Sequence, residues 1–412
     1  MKSDKSSSTD SLAQINHVPD RIPNSAILLL SLAAFGGGIS QRVTDALVPR
    51  LATEFTVTVS EASWAITAFS IAYGLAQMFY GPVGDRFGKY LVIAYGSLAC
   101  AVTAALCAMA FDFKLLVAAR LVAGGVTAGL IPLSMAWIGD MVPYERRQPV
   151  LARFLIGQML GVSFGIFVGG FTADHLPWQT PFVGLTLLFF SVGIALFLLN
   201  RRLPQNARSV GSAQGGMLAR TFSELRQVLA RPWARVVLLT VFLEGAFVFG
   251  PLAFVALHLH RGYGLSLSSA GSLVMVFGFG GLLYATTATL FVRRLGEVGI
   301  ARFGGYLMAA GLLVTGIAPA WWLALPGCFA TGLGFYMLHN TLQLNATQMA
   351  PERRGAAVST FAACHFLGQA AGVGTAGVLV ERVGTASVIV AGAASILAVA
   401  LTFSRRRSRH VA

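Results

Sequence analysis

Charge is scarce in this chain, and negative charge most of all: 412 residues hold 16 Asp or Glu against 30 Lys or Arg, and charged residues are 11% of the total. Soluble domains carry roughly a quarter charged residues, so a water-facing surface cannot be built from this composition and a soluble fold is excluded. Cysteine is sparse too. Cys100, Cys107, Cys328 and Cys364 all fall inside apolar runs, which argues against a disulfide scaffold or a zinc cluster and leaves them as packing residues. The first apolar run ends without the small-residue cleavage pattern of a signal peptide. The net charge of +14 does not imply nucleic acid as a partner, because the basic residues sit in short loops and tails.

Apolar residues are what the chain has in abundance: 56% are hydrophobic, and 46 glycines add to them. Runs long enough to cross a hydrocarbon layer about 30 Å thick, roughly 20 residues each, occur at 26–48, 61–83, 90–111, 115–138, 150–172, 178–200, 236–256, 267–292, 303–318, 321–345, 356–380 and 383–404. Residues 1–25 read as a disordered polar tail, 201–235 as a basic linker, and 405–412 as a basic tail. The linker holds seven arginines and an amphipathic piece at 218–229 suited to lie along headgroups. An all-α membrane protein of twelve transmembrane helices is expected, in bundles of six at 26–200 and 236–404. Alternating the spans puts both termini and every even-numbered loop on one side, with 23 of the Lys and Arg; four lie opposite (Arg50, Lys114, Arg261, Arg382) and three within spans (Arg42, Arg120, Arg153). The positive-inside rule makes the basic side, and with it both termini, cytoplasmic.

The halves repeat. An offset of 208 residues carries Met141 and Pro143 onto Met349 and Pro351, each followed by an acid and two arginines, and Arg86-Phe87-Gly88 onto Arg294-Leu295-Gly296. With a few residues of slippage, the segment at 154–162, which contains Gln158, matches 366–373. Between the second and third runs lies Gly81-Pro82-Val83-Gly84-Asp85-Arg86-Phe87-Gly88-Lys89, a glycine-rich turn whose charges hold it in water. It resembles the signature loop of the major facilitator superfamily, Gly-x-x-x-Asp-Arg-x-Gly-Lys. The resemblance extends over nearly the whole chain, tails excluded, and is closest to bacterial twelve-helix proton-coupled exporters. It implies alternating access about a midplane site between the halves, a monomer, and a bacterial-type inner (plasma) membrane. On the fifth run Gly157, Gly161, Gly165 and Gly169 form a smooth packing stripe, and Ile166 stands where the exporters' antiporter signature has proline.

Ionisable groups inside a bilayer cost about 2.5–3.5 kcal/mol each on insertion scales, so each needs a partner or a task. Asp45 is expected to pair with Arg42, three residues away, or with Arg120 at similar depth, as a structural ion pair or in gating or coupling. Glu244, with no basic residue within a turn, is the leading proton carrier, against the alternative of a permanently protonated acid bonded to a neighbour. His365 and His339 are candidates to share its proton. Tyr73, Gln77, Gln158, Asn340 and Gln343 are candidates for the substrate cavity. His258 and His260 form a His-x-His pattern with no further ligand type nearby, so no metal is expected there, and no cofactor beyond the proton gradient. Gly81, Asp85, Arg86, Gly88 and Lys89 are expected to latch the halves together at the eleventh helix, favouring the outward-facing state.

The leading expectation is a secondary transporter, proton-driven, exporting small organic or amphipathic molecules. A proton symporter importing a sugar or organic acid is the alternative. A non-transporting scaffold or intramembrane enzyme is remote, because no nucleophile, base and orienting group converge and a scaffold does not need buried charges.

Overall fold

The computed structural model describes residues 23–203 and 217–411, and all regular structure among them is helical. The first half runs α1 (Asn24–Arg42), α2 (Val48–Glu54), α3 (Val59–Ala62), α4 (Trp64–Phe87), α5 (Lys89–Ala108), α6 (Phe113–Thr127), α7 (Leu130–Met141), α8 (Tyr144–His175) and α9 (Thr180–Asn200). After α10 (Met217–Leu229), the second half runs α11 (Pro232–Glu244), α12 (Gly250–Leu252), α13 (Val255–Tyr263), α14 (Leu267–Ile317), α15 (Ala324–Gln348) and α16 (Arg354–Val411). Nine stretches among the described residues are long and apolar enough to cross a membrane. Helices are the natural answer in lipid, since each satisfies its own backbone polar groups. Most of the expected tail at 1–25, and 204–216 of the expected linker, lie outside the described residues.

Two helices are far longer than one crossing needs. α14 has 51 residues and α16 has 58, and each is broken at one glycine with positive φ, Gly296 (φ 63°) and Gly384 (φ 82°). Gly88 (φ 88°) separates α4 from α5 and stands 208 residues before Gly296. A second pair repeats that spacing: Thr56, with φ 53°, stands 208 residues before Gly264, with φ 67°. The duplication seen in the sequence is thus also a duplication of backbone turns. The glycine-rich loop itself is shorter than the sequence suggested. α4 runs through Gly81, Pro82 and Gly84 and ends at Phe87, so Gly88 alone reverses the chain; Gly84 instead admits the Leu133 side chain.

The fifth-run stripe packs on α1. Gly157, Gly161, Gly165 and Gly169 face Ser31, Phe35, Ile39 and Val43 in turn, one α8 glycine per turn of α1. The second half repeats the device, with Gly368 and Gly372 of α16 against Phe242 and Ala246. A methyl at Gly161 would strike the Phe35 carbonyl. Gly161→Val is therefore expected to destabilise by at least the 1–3 kcal/mol typical of overpacking. Gly184→Val, where nothing lies within 4 Å, is expected to be neutral; thermal unfolding in detergent compares them.

α10 is the amphipathic piece expected at 218–229, and it docks at the start of α16. Glu224 lies 3.8 Å from Arg353, and Arg231 just beyond α10 binds Glu352 at 2.6 Å. Phe222 stays 60% exposed, as a residue meant for lipid would.

Candidate functional site

Six buried or half-buried polar side chains, drawn from α11, α15, α16 and the end of α1 with the turn that follows it, line up across the junction of the halves in two hydrogen-bonded groups set 3.7 Å apart. The first begins at Asp45, in the turn that follows α1. Arg42 Nη1 donates to Asp45 Oδ2 at 3.3 Å, and Arg42 Nη2 donates to Gln369 Oε1 at 3.2 Å on α16. That second bond fixes the Gln369 amide: its oxygen faces the guanidinium, so its nitrogen faces His365 Nε2, 2.8 Å away, and donates to it. His365 Nε2 is then an acceptor, which puts the ring proton on Nδ1. Nδ1 lies 3.7 Å from Glu244 Oε2, close but beyond hydrogen-bond distance. The same carboxylate oxygen lies 2.8 Å from His339 Nδ1.

Aromatic rings seal these groups. The Arg42 guanidinium lies 4.1 Å over the Phe249 ring, a cation–π contact favoured in a dry setting. Phe249 also meets His365 and Phe335 edge-on, and Phe335 stacks on His339 at 5.0 Å. The backbone helps place Phe249: directly after Glu244, residues Gly245–Phe249 form a π-helical turn, a distortion frequent at functional sites. Glu244 is fully buried, and its Oε1 has no hydrogen-bond partner among the described residues. Together, Glu244, His339 and His365 offer one carboxylate and two imidazoles within 4.8 Å of one another, a donor set that transition-metal ions accept. The direct 2.8 Å bond between two of them is the arrangement of groups sharing a proton, and we read the cluster that way.

The other sequence candidates fall in varied places. Arg120 does not reach Asp45. It donates to the carbonyls of Ala65 and Ser40 and lies 4.1 Å over Phe69, so among the described residues Asp45 has its ion pair with Arg42, and Oδ1 has no hydrogen-bond partner. Tyr73 is buried with its ring 4.1 Å from Phe366, joining α4 to α16. Gln77, Gln158 and Gln343 are half-buried, while Asn340 is exposed. The polar residue that follows them, Asn345, donates to Glu297 instead. His258 binds Thr385 at 2.9 Å and His260 meets the Leu265 carbonyl, so the two turn to different partners. In the turn, Lys89 bridges Asp85 at 3.0 Å and Asp140 at 2.9 Å, all within the first half, and Arg86 lies against Phe87.

Gln369, and the sealing rings of Phe249 and Phe335, are what sequence reasoning missed. Gln369 had a signal: in the slipped repeat it is the mate of Gln158.

Repeat-related groups of apolar helices around buried polar side chains define a multi-pass membrane protein. The chain belongs to the Major Facilitator Superfamily, whose sequence profile matches residues 30–373. It is accordingly a transporter and not an enzyme. It is 26% identical over 345 residues to the MFS-type transporter YceJ of Bacillus subtilis, covering 81% of this chain and 84% of that protein. The multidrug efflux protein YfmO of Bacillus subtilis is also 26% identical over 345 residues, with 82% of each covered. The multidrug export protein EmrB of Haemophilus influenzae is 27% identical, but over 169 residues that span 40% of this chain and 33% of EmrB. Among solved structures, the nucleoside transporter NupG superposes with a TM-score of 0.72 over 92% of this chain and 98% of that one at 14% identity. A bacterial homologue of the human lysosomal transporter Spinster, inward-facing and occupied, gives 0.70 over 94% and 97% at 17%. Those two likenesses speak to the fold.

Proposed function

We propose that this chain is a proton-driven exporter of small organic or amphipathic molecules, working as a monomer by alternating access in a bacterial inner membrane. The observation that carries the reading is the juxtaposition of two hydrogen-bonded groups, Asp45–Arg42–Gln369–His365 across the junction of the halves and Glu244–His339 in the second half, with His365 Nδ1 3.7 Å from the Glu244 carboxylate. A proton taken up at Glu244 changes what its neighbours need from Gln369 and Arg42, so occupancy at the cluster is felt across the junction where the halves move. The efflux proteins among the relatives favour export. Counting each glycine-broken helix as two crossings and adding α4 gives twelve, which returns both termini to the basic, cytoplasmic side.

The test is reconstitution into liposomes loaded with a pH-sensitive dye and challenged with a library of amphipathic and polar organic molecules. An exporter moves protons against the direction of its substrate; a symporter moves them with it. A library in which several compounds are transported and none shifts internal pH would remove proton coupling.

The glycine turn, whose charges pair within the first half, is proposed to latch the halves on the cytoplasmic face when they close there. When the halves close there, Asp85 is free to exchange Lys89 for the N-terminal end of α16, where a carboxylate gains about 0.3–1 kcal/mol from the helix dipole. Asp85→Asn is expected to raise the labelling of inner-face reporter cysteines in everted vesicles; unchanged labelling would make the turn merely topological.

A further inference from the structure

On the face opposite the termini, each half places a carboxylate on a helix start of the other half. Asp174, near the end of α8, accepts from the backbone N–H of Leu267 at 3.2 Å and of Ser268 at 2.6 Å, and from the Ser268 hydroxyl at 2.6 Å. These are the first N–H groups of α14, which have no partner within their own helix. Glu381 of α16 accepts from the backbone N–H of Ser60 at 2.9 Å, in the first turn of α3.

The two contacts are copies. Ser60 and Ser268 are 208 residues apart. So are the capping residues beside them, Thr58 accepting from Glu61 N and Ser266 accepting from Ser269 N. The acids, Asp174 and Glu381, are 207 apart, and so are the glycines that bring the helices together beside them. Gly170 lies against the Leu267 carbonyl and Gly271, and Gly377 against Ser60 and Ser63. A single ion pair between halves could be incidental to packing; a pair of carboxylates engaging backbone donors in both directions, at duplicated positions, is a built closure.

We infer that Asp174 and Glu381 are positioning residues that clamp the halves shut on the outer face, and that both must let go before the site opens outward. The chemistry suits a reversible closure. Carboxylate bonds to backbone N–H are charge-assisted, yet both acids are exposed, so water replaces those bonds when the halves part. The capping side chains Thr58 and Ser266 stay within their own halves and keep each helix start formed after release.

The clamp rests on the orientation given above but not on proton coupling, and the experiment separates these. Thr67 is buried 3.8 Å from where a side chain on Gly374 would begin, between the halves and inward of the Glu381 contact. A Thr67→Cys reporter is labelled with a membrane-impermeant maleimide in intact cells and in everted vesicles, with the full chain lacking the reporter as background for the four native cysteines. Asp174→Asn with Glu381→Gln is expected to raise labelling from outside by about tenfold, each single change giving less. Asp174→Glu, which keeps the charge, is expected to stay nearer the parent. If the double variant does not fold, Glu381→Gln alone, removing one bond, carries the test. Labelling at the parental rate from both sides, in protein that remains monodisperse in detergent, would overturn the clamp. A rise confined to everted vesicles would support it and reverse the orientation.

Discussion

Glu244→Gln is expected to reduce substrate-linked proton movement to the level of empty liposomes while leaving downhill exchange of substrate measurable. The substitution is nearly isosteric, and the amide can still bond His339, now 2.8 Å from Glu244 Oε2. What it removes is the ability to bind and release a proton. The carboxylate is the one acid in this cluster and is wholly buried, where charge is tolerated only with a partner. Its partners are imidazoles, which can hold the same proton, so protonation here trades between groups with no net charge lost to lipid. Dye-loaded liposomes read the first quantity and radiolabel or fluorescence counterflow reads the second. If Glu244→Gln still moves protons when substrate is added, the coupling group lies elsewhere, and Asp45 becomes the next residue to replace.

Arg42→Met is expected to have the largest effect on stability. It strands the Asp45 carboxylate and the Gln369 oxygen in a buried setting, and breaking a buried pair by removing one partner costs about 3–5 kcal/mol. Arg42→Met with Asp45→Asn removes both charges and is expected to recover most of that loss. Unfolding in detergent compares the three proteins. A single variant as stable as the double would show that the pair does not hold the fold. A stable double variant with normal transport would show that it does nothing else. Because Arg42 sets the orientation of the Gln369 amide, the double variant also tests whether His365 depends on that orientation to present Nδ1 to Glu244.

Much of this is legible in the sequence. The apolar runs, the repeat and the family turn required only hydropathy and spacing. Glu244 stood out because nothing basic lay within a turn of it, and His339 and His365 because they were ionisable groups in apolar runs. Partners brought together by tertiary packing were harder. Arg42 and Arg120 offered Asp45 equal prospects by depth, and packing decided: Arg120 is taken up by two carbonyls on neighbouring helices. The glycines at 81 and 84 looked like turn residues because glycine permits a turn; in lipid a helix tolerates them, and here they lie within α4. Asp174 and Glu381 lie at helix ends, where acids are unremarked, and their meaning comes from helix starts 93 and 321 residues away.

The wide turn after Glu244 has a mechanical reading. In an uninterrupted α-helix, side chains five positions apart diverge by about 140° around the axis. Letting out one extra residue at Gly245–Phe249 brings Phe249 back to the side of Glu244, under Arg42 and against His365. Acid and ring are geared together by a single slack residue. Taking up that slack would swing the ring off the guanidinium by about the 100° that one residue contributes, with no displacement of Glu244, and uncover the cluster in one step of winding.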